Sequence, residues 1–416
     1  MQKFTKVTKD MNIYQGLNPI ELIKEYGSPL YVYNERILRY NCKKLKHLIP
    51  YENFHVSYSA KANSNIHIMK IVREEGLDVD AMSQGEIFVQ LKAGFTPEQI
   101  FFVSNNISRE EMAYAIGQGV SISVDSVSQL KLFGELSPGG EVSIRFNPGI
   151  GAGHSKKVVT AGKETKFGVD PIFIEEVLEI LKEYNLKLIG INQHIGSLFM
   201  DSIAYLDSVK AIFSLADNFK DLSFVDIGGG FGIPYKKQEG QAPLDLDSLG
   251  FELNKIIETW TVSYGKRIKI RIEPGRFIPA ECSVLLGTVN TIKENYGRKY
   301  IGTDIGFNVL ARPVMYNSHH DIEVYREGGL ATDTKVEKVT VVGNICESGD
   351  IISENVVLPK LIEGDILGIL DAGAYGYVMS SNYNSRLRPA EILIKEDGSV
   401  KLIRRRDTLE DLLRNY

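Results

Sequence analysis

Cysteine is scarce: Cys42, Cys282 and Cys346 are the three in 416 residues. An odd number sharing no metal-ligand spacing argues against a disulfide framework and against a structural zinc site. Long apolar runs are missing too, since no window approaches the ~18 uninterrupted apolar residues of a membrane-spanning helix. Positive charge is not in excess: 48 Lys and Arg stand against 53 Asp and Glu, a net charge of −5. The chain therefore carries no basic field for nucleic acid and no polybasic patch for a membrane surface. Residues 1–10 mix Lys and Asp without the apolar stretch of a signal peptide, so a cytoplasmic location is expected. Low-complexity tracts are lacking as well. What remains is enough chain for two or three domains with small-molecule or protein partners.

The chain that is present alternates regularly. Eight short β-rich runs stand out, at 55–61, 77–83, 100–106, 120–126, 142–147, 188–196, 222–230 and 268–276. Most are separated by helical patterns, such as 66–75, 85–93, 109–117, 128–136, 171–184, 202–217 and 249–264. Strand–helix alternation means parallel βαβ units, and eight of them match a closed (β/α)8 barrel of the TIM type. A doubly wound open sheet is the alternative. Two features favour the barrel. The early run ends (Lys61, Ser83, Asn105, Asp125, Asn147) recur about every 20–22 residues, as a ring of even βα units requires. Nearly every run also ends in a residue capable of chemistry, and only a barrel gathers all such ends on one face. After about residue 280 the pattern changes to β-rich runs with turn signals, which predicts a C-terminal all-β domain. The expected organisation is an N-terminal segment, 1–35, contributing its strand at 30–33 to the β domain; a barrel, 36–280; and the β domain, 281–416.

The run at 55–61 ends in Tyr58-Ser59-Ala60-Lys61-Ala62-Asn63. A lysine at a strand end is stiffly held and within reach of a pocket, which suits a Schiff-base amine that must be neutral to attack. Asp226-Ile227-Gly228-Gly229-Gly230-Phe231-Gly232 follows another apolar run. Consecutive glycines let backbone N–H groups close on an anion, so a phosphate is the expected guest, although no Walker pattern follows. Glu273-Pro274-Gly275-Arg276 offers a second anion site through the Gly275 N–H and the Arg276 guanidinium. Glu273 could simply pair with Arg276, but facing a cofactor ring nitrogen it would keep that nitrogen protonated. His194 could be a core histidine, and its flat face would also suit an aromatic ring. Lysine, phosphate cradle, carboxylate and stacking histidine on one barrel face together match the needs of pyridoxal 5′-phosphate.

On these and further motifs the chain resembles the fold-type III pyridoxal-phosphate-dependent decarboxylases, the alanine-racemase-like barrel group, and within it the branch acting on diaminopimelate. The further motifs are Asp78-Val79-Asp80-Ala81-Met82-Ser83-Gln84-Gly85-Glu86, Arg145-Phe146-Asn147-Pro148-Gly149, Lys166-Phe167-Gly168, Arg312-Pro313, Cys346-Glu347-Ser348-Gly349-Asp350 and Ala372-Gly373-Ala374-Tyr375. The resemblance implies a decarboxylase converting meso-diaminopimelate to L-lysine and CO2, and it implies roles by position. Lys61 would be the imine lysine, His194 the ring-stacking residue and Glu273 the partner of the ring nitrogen. Asp80, Ser197, Gly229, Gly230, Gly275 and Arg276 would complete the cofactor site, closed by Tyr375. Arg276, Arg312, Tyr316 and Tyr375 would contact the substrate. Cys346, as proton donor, and Glu347, as receiver of the distal ammonium, would enter the site of a neighbouring subunit, implying a homodimer with shared active sites.

Two stretches depart from the family pattern. Gly306-Phe307-Asn308-Val309 lacks an acidic residue commonly present, and the loop 154–162 is unusually basic. These leave open a related substrate: D-ornithine, D-lysine, carboxynorspermidine or a carrier-bound amino acid. An amino-acid racemase on the same scaffold is a rival, and a non-catalytic cofactor carrier is another. Neither explains the Cys346-Glu347 loop together with an Arg312/Tyr316 clamp.

Overall fold

The computed structural model describes residues 6–149, 160–162, 164–327, 329–331 and 335–416. The basic loop singled out at 154–162 falls mostly outside them. The chain divides into two compact units: Asn41–Ile233 with Pro243–Phe277, and Met1–Tyr40 with Pro234–Ala242 and Ile278–Tyr416.

The first strand, β1 (Leu30–Asn34), belongs to the second unit. The next eight, β2 (Phe54–Ser59), β3 (Asp78–Ala81), β4 (Ile100–Phe102), β5 (Ser121–Val124), β6 (Glu141–Arg145), β7 (Lys187–Asn192), β8 (Phe224–Asp226) and β9 (Lys269–Ile272), pair in parallel and in sequence order. β9 returns to β2, with Phe54 opposite Ile270, so the ring is closed and the open-sheet alternative is excluded. Three of the strand-to-helix turns end in a serine cap. Ser83, Ser108 and Ser126 accept the backbone N–H of Glu86, Glu111 and Gln129 and so start the helices Gln84–Ala93, Arg109–Gln118 and Val127–Leu136. Each such cap is worth about 1 kcal/mol.

Period-two alternation decides what fills the barrel. In the run Ile268-Lys269-Ile270-Arg271-Ile272-Glu273 the apolar residues face the helices while Arg271 and Glu273 share the opposite face. Arg271 is buried between two rings, 4.5 Å from the Phe101 centroid and 4.8 Å from that of Phe224, which themselves meet edge to face.

The second unit is a mixed sheet. β1 lies between β10 (Ser283–Asn295), antiparallel, and β17 (Ala390–Ile394), parallel. The N-terminal strand thus lies within the late sheet. Beyond β10 lie β16 (Ile366–Leu370), β12 (Ile322–Arg326) and β13 (Gly329–Leu330); β18 (Val400–Arg404) flanks β17. β11 (Arg298–Thr303), β14 (Val336–Val342) and β15 (Ile351–Pro359) extend the sheet from β10. Among the described residues no helix is long and apolar enough to cross a membrane.

Candidate active site

Lys61 lies just beyond its strand rather than at its last residue. β2 ends at Ser59, and Ala60–Ala62 form a 3-10 turn. The cause is Asp80 on the neighbouring strand, whose carboxylate accepts the Ser59 hydroxyl and, at 3.2 Å, the Ala60 N–H. Once these donors are taken sideways, the chain leaves the ladder and curls. Ser59 N–H is held by Pro274 O at 3.1 Å, and the Tyr58 hydroxyl donates to Asn63 O at 3.0 Å. Lys61 therefore stands on a turn fixed from both sides, half-buried, with Asp80 as the residue that shapes it.

Three loops interlock at the same end of the barrel. Gly228 N–H donates to Asp226 Oδ1 at 2.9 Å, Glu273 N–H to Gly228 O at 3.1 Å, and Gly229 N–H to His194 Nδ1 at 3.3 Å. Glycine is required here by contact: a Cβ on Gly229 would sit 1.9 Å from Glu273 O, and one on Gly230 2.6 Å from Gly196 O. Arg276 donates to Ser197 Oγ at 3.0 Å, which links the loop after β9 to the loop after β7. Between them Leu198 holds φ +66°, a left-handed conformation that a branched side chain adopts at a cost of about 1–3 kcal/mol. The structure thus brings Lys61, Asp80, His194, Ser197, Gly229, Gly230, Glu273, Gly275 and Arg276 to the C-terminal ends of β2, β3, β7, β8 and β9 and the loops that follow them.

Buried charge dominates the electrostatics. Burial pushes Glu273 up to about 8, with the Asp226 carboxylate adding to it and Lys61, Arg145 and Arg271 opposing. Burial also pushes Asp226 up to about 7 against the pull of Arg271. Asp80 is raised well above the carboxylate range by burial and by Glu273, with Lys61 pulling it back. His194 goes the other way: burial, then the nearby Lys61 and Arg145 cations, hold it well below the usual imidazole value. It is a neutral ring whose Nδ1 accepts from Gly229, which leaves its proton on Nε2. Glu273 Oε1 and Asp226 Oδ2 are buried and have no hydrogen-bond partner among the described residues.

The other predicted residues belong to the second unit. Arg312 is 1% exposed, opens the short helix Arg312–Tyr316 and lies 4.5 Å over the Tyr235 ring. Its Nη1 meets His320 Nε2 at 2.7 Å, while His320 Nδ1 meets Leu370 O at 2.7 Å. A carbonyl can only accept and a guanidinium can only donate, so the His320 proton is on Nδ1. Tyr316 is half-buried at the end of the same helix. Cys346 and Glu347 are exposed on a loop that Asp350 folds by accepting Ile345 N–H at 2.8 Å and Phe307 N–H at 2.7 Å. Cys346 N–H donates to Asn384 Oδ1 at 2.8 Å, and the Tyr383 hydroxyl donates to Glu347 Oε1 at 2.5 Å. Tyr383 in turn stacks on Phe307, so the atypical 306–309 stretch supports the loop that carries Glu347. Tyr375 is half-buried with φ +56°.

Arg271 and Ser59 are participants that the sequence reading missed. The signal for Arg271 was present: alternation puts it on the inward face with Glu273. Ser59 carries no comparable mark, because its role depends on Asp80 of the adjacent strand.

Residues 35–280 match the family model for the pyridoxal binding domain of pyridoxal-dependent decarboxylases. Over 408 residues the chain is 42% identical to diaminopimelate decarboxylase of Methanothermobacter thermautotrophicus, covering 96% of this chain and 94% of that one. It is 36% identical over 410 residues to the Escherichia coli diaminopimelate decarboxylase, with 95% of each covered. The crystal structure of diaminopimelate decarboxylase from Helicobacter pylori complexed with L-lysine superposes with a TM-score of 0.87 at 30% identity, covering 95% of this chain and 98% of that one.

Proposed function

The chain belongs to the diaminopimelate decarboxylase family of pyridoxal-dependent decarboxylases, and from that premise we propose that it converts meso-diaminopimelate to L-lysine and CO2 in the cytoplasm, using pyridoxal 5′-phosphate. The observation that carries this reading is the buried Oε1 of Glu273, without a hydrogen-bond partner among the described residues, beside the Lys61 turn and the glycine loop. A carboxylate oxygen left bare in a protein interior is costly unless a donor arrives, and a protonated ring nitrogen is such a donor.

The residues present fit the cofactor. Lys61 would hold its aldehyde, Glu273 its ring nitrogen, and the flat neutral face of His194 its ring. The N–H groups of Gly230 and Gly275, with Ser197 and Arg276, would hold its phosphate, Gly229 would tie that loop to His194, and Tyr375 would close that end. Bound there, the cofactor supplies an electron sink for the pair released at Cα when CO2 leaves. The protein's own part is positional and protonic. Asp80 fixes the turn that would present the Lys61 amine to the cofactor aldehyde. Glu273 Oε1 keeps the proton on the ring nitrogen, and the neighbouring Arg145 and Arg271 offset its charge and that of Asp226.

For the substrate, Arg276, Arg312, Tyr316 and Tyr375 are assigned to contacts that include its distal carboxylate. Arginine matches that group with paired donors, which a substrate lacking the second carboxylate would leave unsatisfied. Cys346 of a second subunit would donate the proton to Cα, and its Glu347 would receive the distal ammonium. The functional unit is then a homodimer. The experiment is to incubate protein and cofactor with meso-diaminopimelate, D-ornithine, D-lysine and carboxynorspermidine and to measure CO2. Release from meso-diaminopimelate alone is expected; release from another substrate in preference to it would replace the proposed specificity, and no release from any would end the decarboxylase reading.

A further inference from the structure

The turn that carries Tyr375 is conformationally expensive. Asp371 and Tyr375, neither of them glycine, hold φ +57° and +56° within the few residues after β16. Left-handed backbone of this kind persists only where the surroundings over-determine it. Part of the surroundings is plain packing: a Cβ on Gly373 would sit 1.9 Å from Pro279 O, Ala372 N–H donates to Ser283 O at 3.1 Å, and Gly373 N–H to Ala280 O at 3.2 Å.

The remainder is a lysine from a distant part of the sequence. Lys237 Nζ lies 2.6 Å from Asp371 Oδ2 and 3.1 Å from Glu281 Oε1, with the Asp371 side chain 2% exposed. Burial pushes Asp371 up to about 7, and Lys237 beside it pulls in the opposite direction. The lysine is itself held in place. Its neighbour Gln238 donates its backbone N–H to Asp321 Oδ2 at 2.9 Å and its side-chain amide to Ile322 O at 3.0 Å. Asp321 also engages His319 at 2.9 Å, and its carbonyl accepts Leu370 N–H at 3.0 Å, immediately before Asp371. Lys237 follows closely on Gly228-Gly229-Gly230-Phe231-Gly232, yet its segment, Pro234–Ala242, packs with the sheet unit. A loop with a purely local role has no need of a half-buried cation paired to two carboxylates there.

We propose that Lys237 is a positioning residue for the cofactor: by holding Asp371 it fixes the turn that presents Tyr375, so its loss weakens cofactor binding more than turnover. The inference rests on the assignment of Tyr375 to the cofactor phosphate made above. None of the motifs quoted above includes Lys237, and no role was expected for it from the sequence.

The test uses the full chain freed of cofactor and titrated with pyridoxal phosphate, with bound and free cofactor separated by ultrafiltration. Lys237→Met should raise the dissociation constant about tenfold or more, since the strain it releases is of that order. Lys237→Arg, which keeps the cation, should recover most of the affinity. At saturating cofactor, kcat of Lys237→Met should stay near the wild-type value. Should Lys237→Met fail to fold, Asp371→Asn interrupts the same pair from the other side and should show the same loss. In a Tyr375→Phe background, Lys237→Met should add little, because the lysine acts through that tyrosine. Unchanged cofactor affinity in Lys237→Met, or losses from the two substitutions that multiply independently, would overturn the proposal. A wild-type chain that does not bind pyridoxal phosphate would instead overturn the functional reading on which it rests.

Discussion

His194 accepts the backbone N–H of Gly229 through Nδ1 at 3.3 Å, so one residue serves both the candidate ring-stacking face and the glycine loop. Because burial keeps the imidazole neutral, its role is shape and acceptance, not charge. Phe at this position keeps a flat face and strands the Gly229 donor, at about 1–3 kcal/mol. Ala loses the face as well. Cofactor titration should rank wild type above His194→Phe, and His194→Phe above His194→Ala. Equal affinity of the two variants would remove stacking from the account.

Glu273 and Asp226 predict how the cofactor-free protein responds to pH. Both carboxyls are raised in the fold, Glu273 from 4.5 to about 8 and Asp226 from 3.8 to about 7. A raised acid binds its proton more tightly folded than unfolded. Its stabilisation is therefore complete below the unfolded pKa and is lost as pH rises through the folded one. Thermal unfolding of the cofactor-free chain should shift to lower temperature between about pH 4.5 and 8. Glu273→Gln should flatten that decline, because the amide has no proton to lose. A decline as steep in the variant as in wild type would place its origin elsewhere.

The barrel was legible because its signal is repeated. Eight β-rich runs, the first five ending at nearly even spacing, with reactive residues at their ends, leave few architectures. The runs nonetheless overstate the strands: the run at 222–230 contains only Phe224–Asp226 as strand, and 268–276 only Lys269–Ile272. Beyond those points the residues remain buried in the interlocked loops, Glu273 and Arg276 included, and burial alone does not distinguish loop from ladder. β15 carries a weak sequence signal for the opposite reason. Its stretch Ile351-Ile352-Ser353-Glu354-Asn355-Val356-Val357 interrupts the apolar pattern with polar residues, and Asn355 has φ +54° where the pairing with β14 shifts register. Among the site residues, those on strand tips could be found from one strand at a time. Arg312 could be named only by resemblance, since its setting is assembled from Tyr235, His320 and Leu370, far apart in sequence.

Gly229 offers a structural test of the interlocked loops. The Cβ introduced by Gly229→Ala would meet Glu273 O at 1.9 Å and Glu273 C at 2.6 Å, both backbone atoms with no rotamer to retreat into. Either the 228–230 loop or the 273–276 loop must move, and overpacking of this kind typically costs about 1–3 kcal/mol. Gly265→Ala is the control, since nothing lies within 4 Å of its added Cβ, although its φ of +79° carries some strain. Gly229→Ala should lower both the melting temperature and the cofactor affinity, and Gly265→Ala should change the first slightly and the second not at all. A Gly229→Ala protein that binds cofactor normally would show that the loops are not held as rigidly as their contacts imply.

The shared-site proposal makes a quantitative demand on mixed subunits. Lys61→Ala removes the amine from a site, and Cys346→Ala removes the thiol contributed to the neighbouring one. Each homodimer should then be nearly inactive. In a dimer containing one chain of each kind, one site lacks both groups while the other has the intact Lys61 of one chain and the intact Cys346 of its partner. Random reassortment makes half of the dimers mixed, each with one complete site of two, so activity should return to about one quarter of wild type. The exposed position of Cys346 on the loop held by Asp350 and Asn384 is compatible with such a contribution. Borohydride treatment should meanwhile fix cofactor to the Cys346→Ala chains and not to the Lys61→Ala chains, which identifies the amine independently of turnover. Mixtures that exchange subunits, as mass-tagged chains would reveal, yet recover no activity would place both groups in one chain's own site or remove Cys346 from the chemistry.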